Sequence, residues 1–237
     1  MIKQKKNPKS NKVQFSNLEL KLIKPLTHNQ EKVFNEYNSE KHILNIGISG
    51  TGKSFVLTYL ALKDILSFKN QYEKLIIVRS IVPTRDIGFL KGSEIEKQEV
   101  YEAPYRYIIN KLFGRGDAYE ILKQKNIIEF TSTSFLRSLT WDNCIVLIDE
   151  AQNMTENELL SLFTRVGYSC RLIISGDDKL QCDLNLKKEE SGIQKYKRIC
   201  ENMKEFGIIE YQFQDIVRSD FIKSFYIALY GVENRGM

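Results

Sequence analysis

The chain has 237 residues, enough for one large domain or for one domain with a small accessory. Apolar residues make up 42% and charged residues 27%, so the chain can fill a core and lacks the composition of a disordered protein. The net charge is +5, from 35 Lys and Arg against 30 Asp and Glu. The first 12 residues hold five lysines and no acid, so the remainder is formally neutral. We therefore predict a flexible basic arm, residues 1–12, before a single folded domain, residues 13–237.

Several classes of protein are excluded at this stage. Two histidines are too few for a His-rich metal centre, and the four cysteines form no C-x-x-C pair of a zinc ribbon or redox dithiol. The N-terminus lacks a signal-peptide apolar stretch, and no apolar run approaches the ~18 residues that span a bilayer. The sequence predicts a cytoplasmic protein with reduced thiols and no membrane partner.

Along the chain, short apolar runs alternate with longer amphipathic stretches. We predict strands at His42–Ile48, Lys74–Arg79, Asn126–Phe130, Cys144–Ile148, Arg171–Ser175 and Ile208–Gln212. We predict helices at Lys53–Phe68, Ile95–Phe113, Glu156–Val166, Ile193–Phe206 and Phe221–Tyr230, with a further one before the first strand. Thr155 and Glu158 form a capping-box pattern. Most strands are continuously apolar, which is typical of strands buried on both faces. The alternation predicts an α/β fold, a mostly parallel sheet with helices on both faces.

The strongest chemical signal is a G-x-x-x-x-G-K-[ST] match after the first predicted strand, at the start of a predicted helix. Its glycines allow the backbone to wrap a polyphosphate, with N–H groups and the positive helix end directed at it. The lysine is expected to bridge the outer phosphates and the final serine to complete a Mg²⁺ shell. The motif therefore predicts that the chain binds a nucleotide together with Mg²⁺. The predicted binding residues are Gly47, Ser49, Gly50, Thr51, Gly52, Lys53 and Ser54.

Two adjacent carboxylates, Asp149 and Glu150, follow the apolar strand that begins at Cys144. Ligands of open α/β sheets bind at the carboxyl ends of the strands. We expect Asp149 to hold Mg²⁺ through water, and Glu150 to orient and deprotonate an attacking water. Such a pair favours a water-splitting NTPase over a kinase, which would need to exclude water.

Polar residues near two other predicted elements complete the candidate site. Gln181 follows the strand that ends at Ser175, and it could detect the terminal phosphate, with Asp177 supporting magnesium or water. Gln30 precedes the first strand and could present its side-chain amide to an adenine edge.

Together these motifs resemble the PhoH family of ATPases, which is similar to the first RecA-like domain of superfamily 1 helicases. The resemblance extends from about Leu26 to Ile227. The matching stretches are Gly47–Ser54, Arg79–Gly92, Phe135–Arg137, Leu147–Gln152, Phe163–Gly167, Ser175–Gln181, Ser191–Gly192 and Asp215–Arg218. The resemblance implies ATP hydrolysis, coupling to RNA or DNA, and assembly into a ring. Some members carry a PIN-type nuclease domain; we expect no room for one in this chain, so ribonuclease activity is not carried over from the resemblance.

The resemblance also assigns roles to individual residues. Gln30 resembles the adenine-reading glutamine of the family, while Lys53, Ser54, Asp149, Glu150 and Gln181 keep the roles given above. Arg218 resembles a late arginine that reaches the γ-phosphate, either within its own subunit or across an interface. Arg165 is the competing candidate for such an arginine finger.

The segment after the second predicted strand is the candidate nucleic-acid contact. Arg79, Arg85 and Lys91 could bind backbone phosphates, and Phe89 could stack on a base or pack internally. Because the chain has one RecA-like unit, movement along a strand would need neighbouring subunits, as in a hexameric or other ring.

The sequence thus predicts a Mg²⁺-dependent ATPase coupled to binding or helicase-like remodelling of RNA or single-stranded DNA. Two alternatives remain open at this point. One is a nucleotide-gated binding or regulatory protein with negligible turnover. The other is a phosphotransferase.

Overall fold

A computed structural model of the protein describes residues 18–67, 71–81, 94–135, 140–177, 184 and 189–233; of these, the side chains of 94–97, 135 and 230–233 are not described. The predicted N-terminal arm, residues 1–12, lies outside this part of the chain.

The core of the fold is a six-stranded sheet with the order β3-β2-β4-β5-β1-β6. All five pairs of neighbouring strands are parallel. The predicted α/β fold with a parallel sheet is confirmed. The strands are β1 (His42–Ile46), β2 (Lys74–Arg79), β3 (Ile128–Ser132), β4 (Cys144–Asp149), β5 (Arg171–Gly176) and β6 (Phe206–Glu210).

Two strands are shifted by two residues from their predicted positions. Strand β3 extends to Ser132, which pairs with Arg79, and strand β6 begins at Phe206, which pairs with His42. Strand β3 ends in the polar residues Thr131 and Ser132, and strand β6 begins with Phe206 and Gly207, so the apolar residues alone do not mark where pairing with the neighbouring strand begins and ends. The other four strands agree with their predicted bounds to within two residues.

Helices cover both faces of the sheet. One face is covered by α1 (His28–Asn38), α2 (Lys53–Ile65), α3 (Glu94–Phe113) and α4 (Ala118–Gln124). The other is covered by α5 (Glu156–Phe163) and α6 (Ile193–Glu201). Helix α7 (Asp220–Glu233) packs on Ile48 and Ile216. Successive strand residues alternate between the two cores, as Ile43 and Leu44 do on β1.

The capping box of α5 is present, since Thr155 and Glu158 each bond the other's backbone N–H. Helices α5 and α6 end earlier than predicted. After α5, Val166 forms a parallel bridge with Trp141, and after α6, Phe206 is taken into strand β6. The seven-residue helix α4 was not predicted from the sequence.

The strand order determines where the site lies. Strand β5 lies between β1, which leads into the phosphate loop, and β4, which ends at Asp149. In a parallel sheet all carboxyl ends lie at one edge, so the loop and the two carboxylates lie at the same edge. Among the described residues, the structure has no helix that is both long and apolar enough to cross a membrane.

Candidate active site

The loop Gly47–Ser54 joins the end of β1 to the first turn of α2. Gly52 is the N-cap of α2 with φ 80° and ψ 16°, a left-handed conformation that glycine adopts without steric cost. Gly47 approaches Tyr211 so closely that an added Cβ would be 2.7 Å from the Tyr211 carbonyl oxygen. The loop conformation therefore requires glycine at both positions.

The amino end of α2 is suited to an anion. No side chain caps it within the described structure, and its first turn holds no acidic residue. The N–H groups of that turn and the positive end of the helix dipole therefore favour a phosphate. The ammonium of Lys53 donates to the carbonyl oxygens of Gly47, at 2.5 Å, and Ile48, at 2.8 Å. Ser54, in the same turn, is half-buried.

Gln30 anchors the loop to helix α1. Its Nε2 donates to the Thr51 carbonyl oxygen at 3.0 Å, and its Oε1 accepts from the Leu26 backbone N–H at 2.8 Å. The side chain is 2% exposed. Both ends of the amide are thus bonded within the protein, so contact with an adenine edge would require one of these bonds to be exchanged. The adenine-reading role of Gln30 stays a prediction.

Residues from the end of the described chain also contact the loop. The Val217 N–H donates to the Gly50 carbonyl oxygen at 3.1 Å, and the hydroxyls of Ser49 and Tyr226 are hydrogen-bonded at 2.6 Å. A Cβ added to Gly50 would be 3.5 Å from Cδ of Arg218. The structure therefore brings Arg218 beside the phosphate loop of its own chain.

Asp149 ends strand β4 and is 3% exposed. Its Oδ2 accepts a 2.9 Å hydrogen bond from the hydroxyl of Tyr105, a buried residue of α3. Burial and the charge of Asp149 raise the pKa of Tyr105 well above its ordinary value, so the hydroxyl remains a donor. This bond fixes the orientation of the carboxylate.

Glu150 has φ 54° and ψ 42°, a left-handed conformation that is rare for a residue other than glycine. Its Oε2 accepts a 2.7 Å hydrogen bond from Nε2 of Gln152. Burial, and next the charge of Asp149, raise the pKa of Glu150, and the opposing effects of Arg79, Gln152 and Lys53 do not cancel the rise. A carboxylate with a raised pKa is a stronger base.

Gln152 connects the ends of strands β4 and β5. While its Nε2 donates to Glu150, its Oε1 accepts from the backbone N–H of Asp177 at 2.9 Å. Gln152 is 1% exposed and Asp177 is 5% exposed. Gln152 thus holds Glu150, the candidate base, in place relative to strand β5. Strand β5 lies between β4 and β1, the strand that leads into the phosphate loop.

Arg79 faces the carboxylates, although the sequence pattern placed it among the nucleic-acid contacts. Arg79 is the last residue of β2 and is in register with Asp149 of β4. Its guanidinium carbon Cζ lies 5.5 Å from the centroid of the Tyr101 ring. Burial alone would lower the pKa of Arg79, but Tyr105, Glu150 and Asp149 together raise it. Its positive charge offsets part of the repulsion between the two adjacent carboxylates.

Not every candidate residue lies at this edge. The Arg165 carbonyl oxygen accepts from the N–H of Trp141, three residues before β4, so Arg165 is at the opposite, amino edge of the sheet. Within one chain it lies away from the phosphate loop. Gln181, Arg85, Lys91 and Phe89 lie outside the described residues.

The sequence interpretation missed Tyr105 and Gln152 as members of the site. Gln152 lies two residues after Glu150, and a polar side chain so close to the Asp-Glu pair was an available signal. Tyr105 lies 44 residues before Asp149 in the middle of a helix, and no local pattern marks it.

A parallel sheet that presents a glycine-rich phosphate loop and two carboxylates at its carboxyl edge defines a phosphate-loop NTPase fold. The chain belongs to the PhoH-like protein family, whose sequence model matches residues 22–230.

Two relatives illustrate the family. A PhoH-like protein of Bacillus subtilis (strain 168) is 33% identical over 183 residues, which cover 76% of this chain and 55% of the relative. Protein PhoH of Escherichia coli (strain K12) is 28% identical over 183 residues, 76% of this chain and 51% of that protein. The chain therefore spans about half the length of these relatives.

Among solved structures, the chain is similar to the large terminase of a thermophilic bacteriophage in complex with ADP. The TM-score is 0.46 and the identity 11%, over 85% of this chain and 49% of the terminase.

Proposed function

We propose that the protein is a Mg²⁺-dependent ATPase that couples ATP hydrolysis to the binding or remodelling of RNA or single-stranded DNA. The observation that carries the proposal is the position of Glu150. This carboxylate has a raised pKa, is oriented by Gln152 and stands at the same sheet edge as the phosphate loop. It also lies close enough to Lys53 for that cation to affect its pKa.

The polyphosphate would occupy the loop Gly47–Ser54 at the amino end of α2. Lys53 would exchange its bonds to the Gly47 and Ile48 carbonyl oxygens for phosphate oxygens. Glu150 would then accept a proton from water at its carboxylate, while Gln152 holds that carboxylate in place.

The residues fit a hydrated Mg²⁺. A buried carboxylate, Asp149, ends β4, and the hydroxyl of Ser54 lies in the first turn of α2. Oxygen ligands of this kind suit Mg²⁺, which keeps several of its waters. When bound, the ion would neutralise charge on the β- and γ-phosphates. Tyr105 would hold Asp149 in the orientation that this requires.

Assembly into a ring is part of the proposal. Helix α7, beside Arg218, exposes Phe221 at 75% and Phe225 at 52%. Large exposed aromatic side chains one helical turn apart are suited to burial against another protein surface. A second chain there would supply the second face that one RecA-like unit lacks for holding a nucleic-acid strand.

The test is ATP turnover measured with and without RNA and DNA, single- and double-stranded, for the wild type and two variants. We expect Lys53→Ala to abolish turnover. We expect Glu150→Gln to bind ATP and to lose at least about 100-fold in turnover. Glu156→Gln is the matched control, because Glu156 is exposed on α5 and should leave turnover unchanged.

Normal hydrolysis by Glu150→Gln would refute the role of the base. Negligible turnover of the wild type under all conditions would favour a nucleotide-gated binding protein, and phosphate transferred to an acceptor would favour a phosphotransferase.

The nucleic-acid part is tested separately. Deletion of residues 1–12 removes five lysines, so it should weaken binding and flatten its salt dependence without altering basal ATPase. An unchanged salt slope would assign nucleic-acid contact to the folded domain alone.

A further inference from the structure

Two thiols are in contact at the amino edge of the sheet, away from the candidate active site. Cys144 is the first residue of β4, and Cys170 immediately precedes the first residue of β5. Their sulfur atoms are 3.9 Å apart. Ile145 pairs with Arg171 in the parallel register, so the two cysteines lie one residue earlier on each strand and face the same side of the sheet.

The two thiols differ in accessibility. Cys144 is 1% exposed and belongs to the core beneath α5 and α6. Cys170 is half-buried at the margin of the same core. A small reagent can therefore reach Cys170 more readily than Cys144, whose sulfur is in contact with that of Cys170.

The hydrogen bond between them also distinguishes the two groups. Cys144 donates to the sulfur of Cys170, and this bond lowers the pKa of the Cys170 thiol below its ordinary value. The same pairing, together with burial, raises the pKa of Cys144. Cys170 is therefore the stronger candidate for the thiolate, which is the nucleophilic form.

We propose that Cys144 and Cys170 form a dithiol site that reacts with low-molecular-weight disulfides, such as glutathione disulfide, and closes to an intramolecular disulfide. The Cys170 thiolate attacks one sulfur of glutathione disulfide, whose S–S bond breaks and releases one glutathione thiolate. Cys144 then gives up its proton and attacks the Cys170 sulfur, and the second glutathione leaves. Two protein thiols are oxidised to one disulfide, while one glutathione disulfide is reduced to two glutathione molecules.

The parallel register places Cys144 and Cys170 side by side on neighbouring strands. Neighbouring strands of a sheet generally lie about 4.8 Å apart, within the roughly 4.4–6.8 Å between Cα atoms that disulfides span. To form the disulfide, the sulfur atoms need to approach from 3.9 Å to about 2.05 Å.

The experiment incubates the native chain with glutathione disulfide, blocks remaining thiols with an alkylating reagent, and measures the intact mass and the peptide map. We expect the intact mass to show two alkyl groups instead of the four that the fully reduced chain takes up, a loss of two hydrogens for the disulfide and no retained glutathionyl group, and we expect the peptide map to show a cross-link between the peptides that contain Cys144 and Cys170. The number of free thiols should fall from four to two.

Three variants test the order of attack. Cys144→Ser should trap one glutathionyl group on Cys170, because the resolving thiol is missing. Cys170→Ser should slow the reaction at least about tenfold. Cys200→Ser is the matched control, because Cys200 is buried like Cys144 but takes no part in the proposed disulfide. This variant should leave the cross-link unchanged.

A stable glutathionyl group on the wild type, a cross-link to Cys182 or Cys200, or an unchanged rate in Cys170→Ser would each overturn the proposal. The wild-type peptide map decides this even where a serine variant does not fold.

Discussion

The hydroxyl of Tyr105 on helix α3 donates a 2.9 Å hydrogen bond to Oδ2 of Asp149 at the end of strand β4. Both side chains are almost fully buried, so the bond is shielded from water. Hydrogen bonds to ionised groups are stronger than those between neutral groups. Asp149 is therefore held in one orientation by a buried residue of helix α3.

The first prediction concerns this bond. Tyr105→Phe keeps the ring but removes the donor, so Asp149 becomes free to rotate. Partners that orient a metal ligand are worth about 10–100-fold in metal affinity. We expect the Mg²⁺ concentration for half-maximal ATP turnover to rise about tenfold. Tyr107→Phe, on the same helix but 68% exposed, should change nothing. An unchanged Mg²⁺ requirement in Tyr105→Phe would contradict the role of Tyr105 in orienting Asp149 for Mg²⁺.

The second prediction uses the raised pKa of Glu150, which is caused first by burial and then by the charge of Asp149. A carboxyl group with a higher pKa in the folded state stabilises the fold while protonated, and this contribution is lost as pH rises through the folded-state pKa. Glu150→Gln resembles the protonated form. We expect it to raise the free energy of unfolding relative to the wild type at pH 8, and the gain to shrink as pH falls towards about 4.3. Denaturant titrations across this range measure the difference. A gain in the free energy of unfolding that grows as pH falls would contradict a raised pKa of Glu150.

The third prediction concerns Gln152. Its hydrogen bond lowers the pKa of Glu150, so Gln152→Met should raise that pKa further. The acid limb of the pH profile of ATP turnover should therefore move to higher pH, because a larger fraction of the base is protonated. Gln214→Met, at an exposed position, is the matched control. A lower turnover without any shift in the pH profile would indicate only a structural role for Gln152.

The fourth prediction concerns the hydrogen bond between Ser49 and Tyr226. Tyr226→Phe and Ser49→Ala each remove one partner, and each should lower the free energy of unfolding by about 1 kcal/mol. The double variant should lose little more than either single variant, because the two changes break the same bond. Additive losses would show that the two hydroxyls are not coupled.

The fifth prediction concerns Arg218, which lies beside Gly50 of its own chain. Arg218→Ala should lower turnover, by as much as about 10³-fold. Mixing the Arg218→Ala protein with the Glu150→Gln protein should not restore turnover, because every active site then lacks either Arg218 or Glu150 of its own chain. Recovery in the mixture would show instead that Arg218 acts across a subunit interface. A mixture of the Arg165→Ala and Glu150→Gln proteins tests in the same way whether Arg165 acts across a subunit interface.

The parts of the site that lie close together in the chain could be predicted from the sequence. Gly47–Ser54 and the Asp149–Glu150 pair are contiguous, and their flanking strands and helix were found where expected. Tyr105 and Arg79 could not be assigned in this way, because their contacts with the carboxylates depend on which strand pairs with β4 and which helix covers it. Similarly, the ends of β3 and β6 depend on pairing with neighbouring strands, because Thr131, Ser132 and Gly207 carry no local apolar pattern that marks them as strand residues.

The order of the strands has a consequence for synthesis of the chain. Strand β1, which leads into the phosphate loop, pairs with β5 (Arg171–Gly176) and β6 (Phe206–Glu210), both of which leave the ribosome long after it. The loop itself is bonded to Val217 and Tyr226. Contacts between distant parts of a chain form late in folding. A nascent chain that ends before Phe206 has the complete phosphate-loop sequence but lacks one of the two strands that flank β1. Nucleotide affinity should therefore appear only after the ribosome has released β6 and Tyr226.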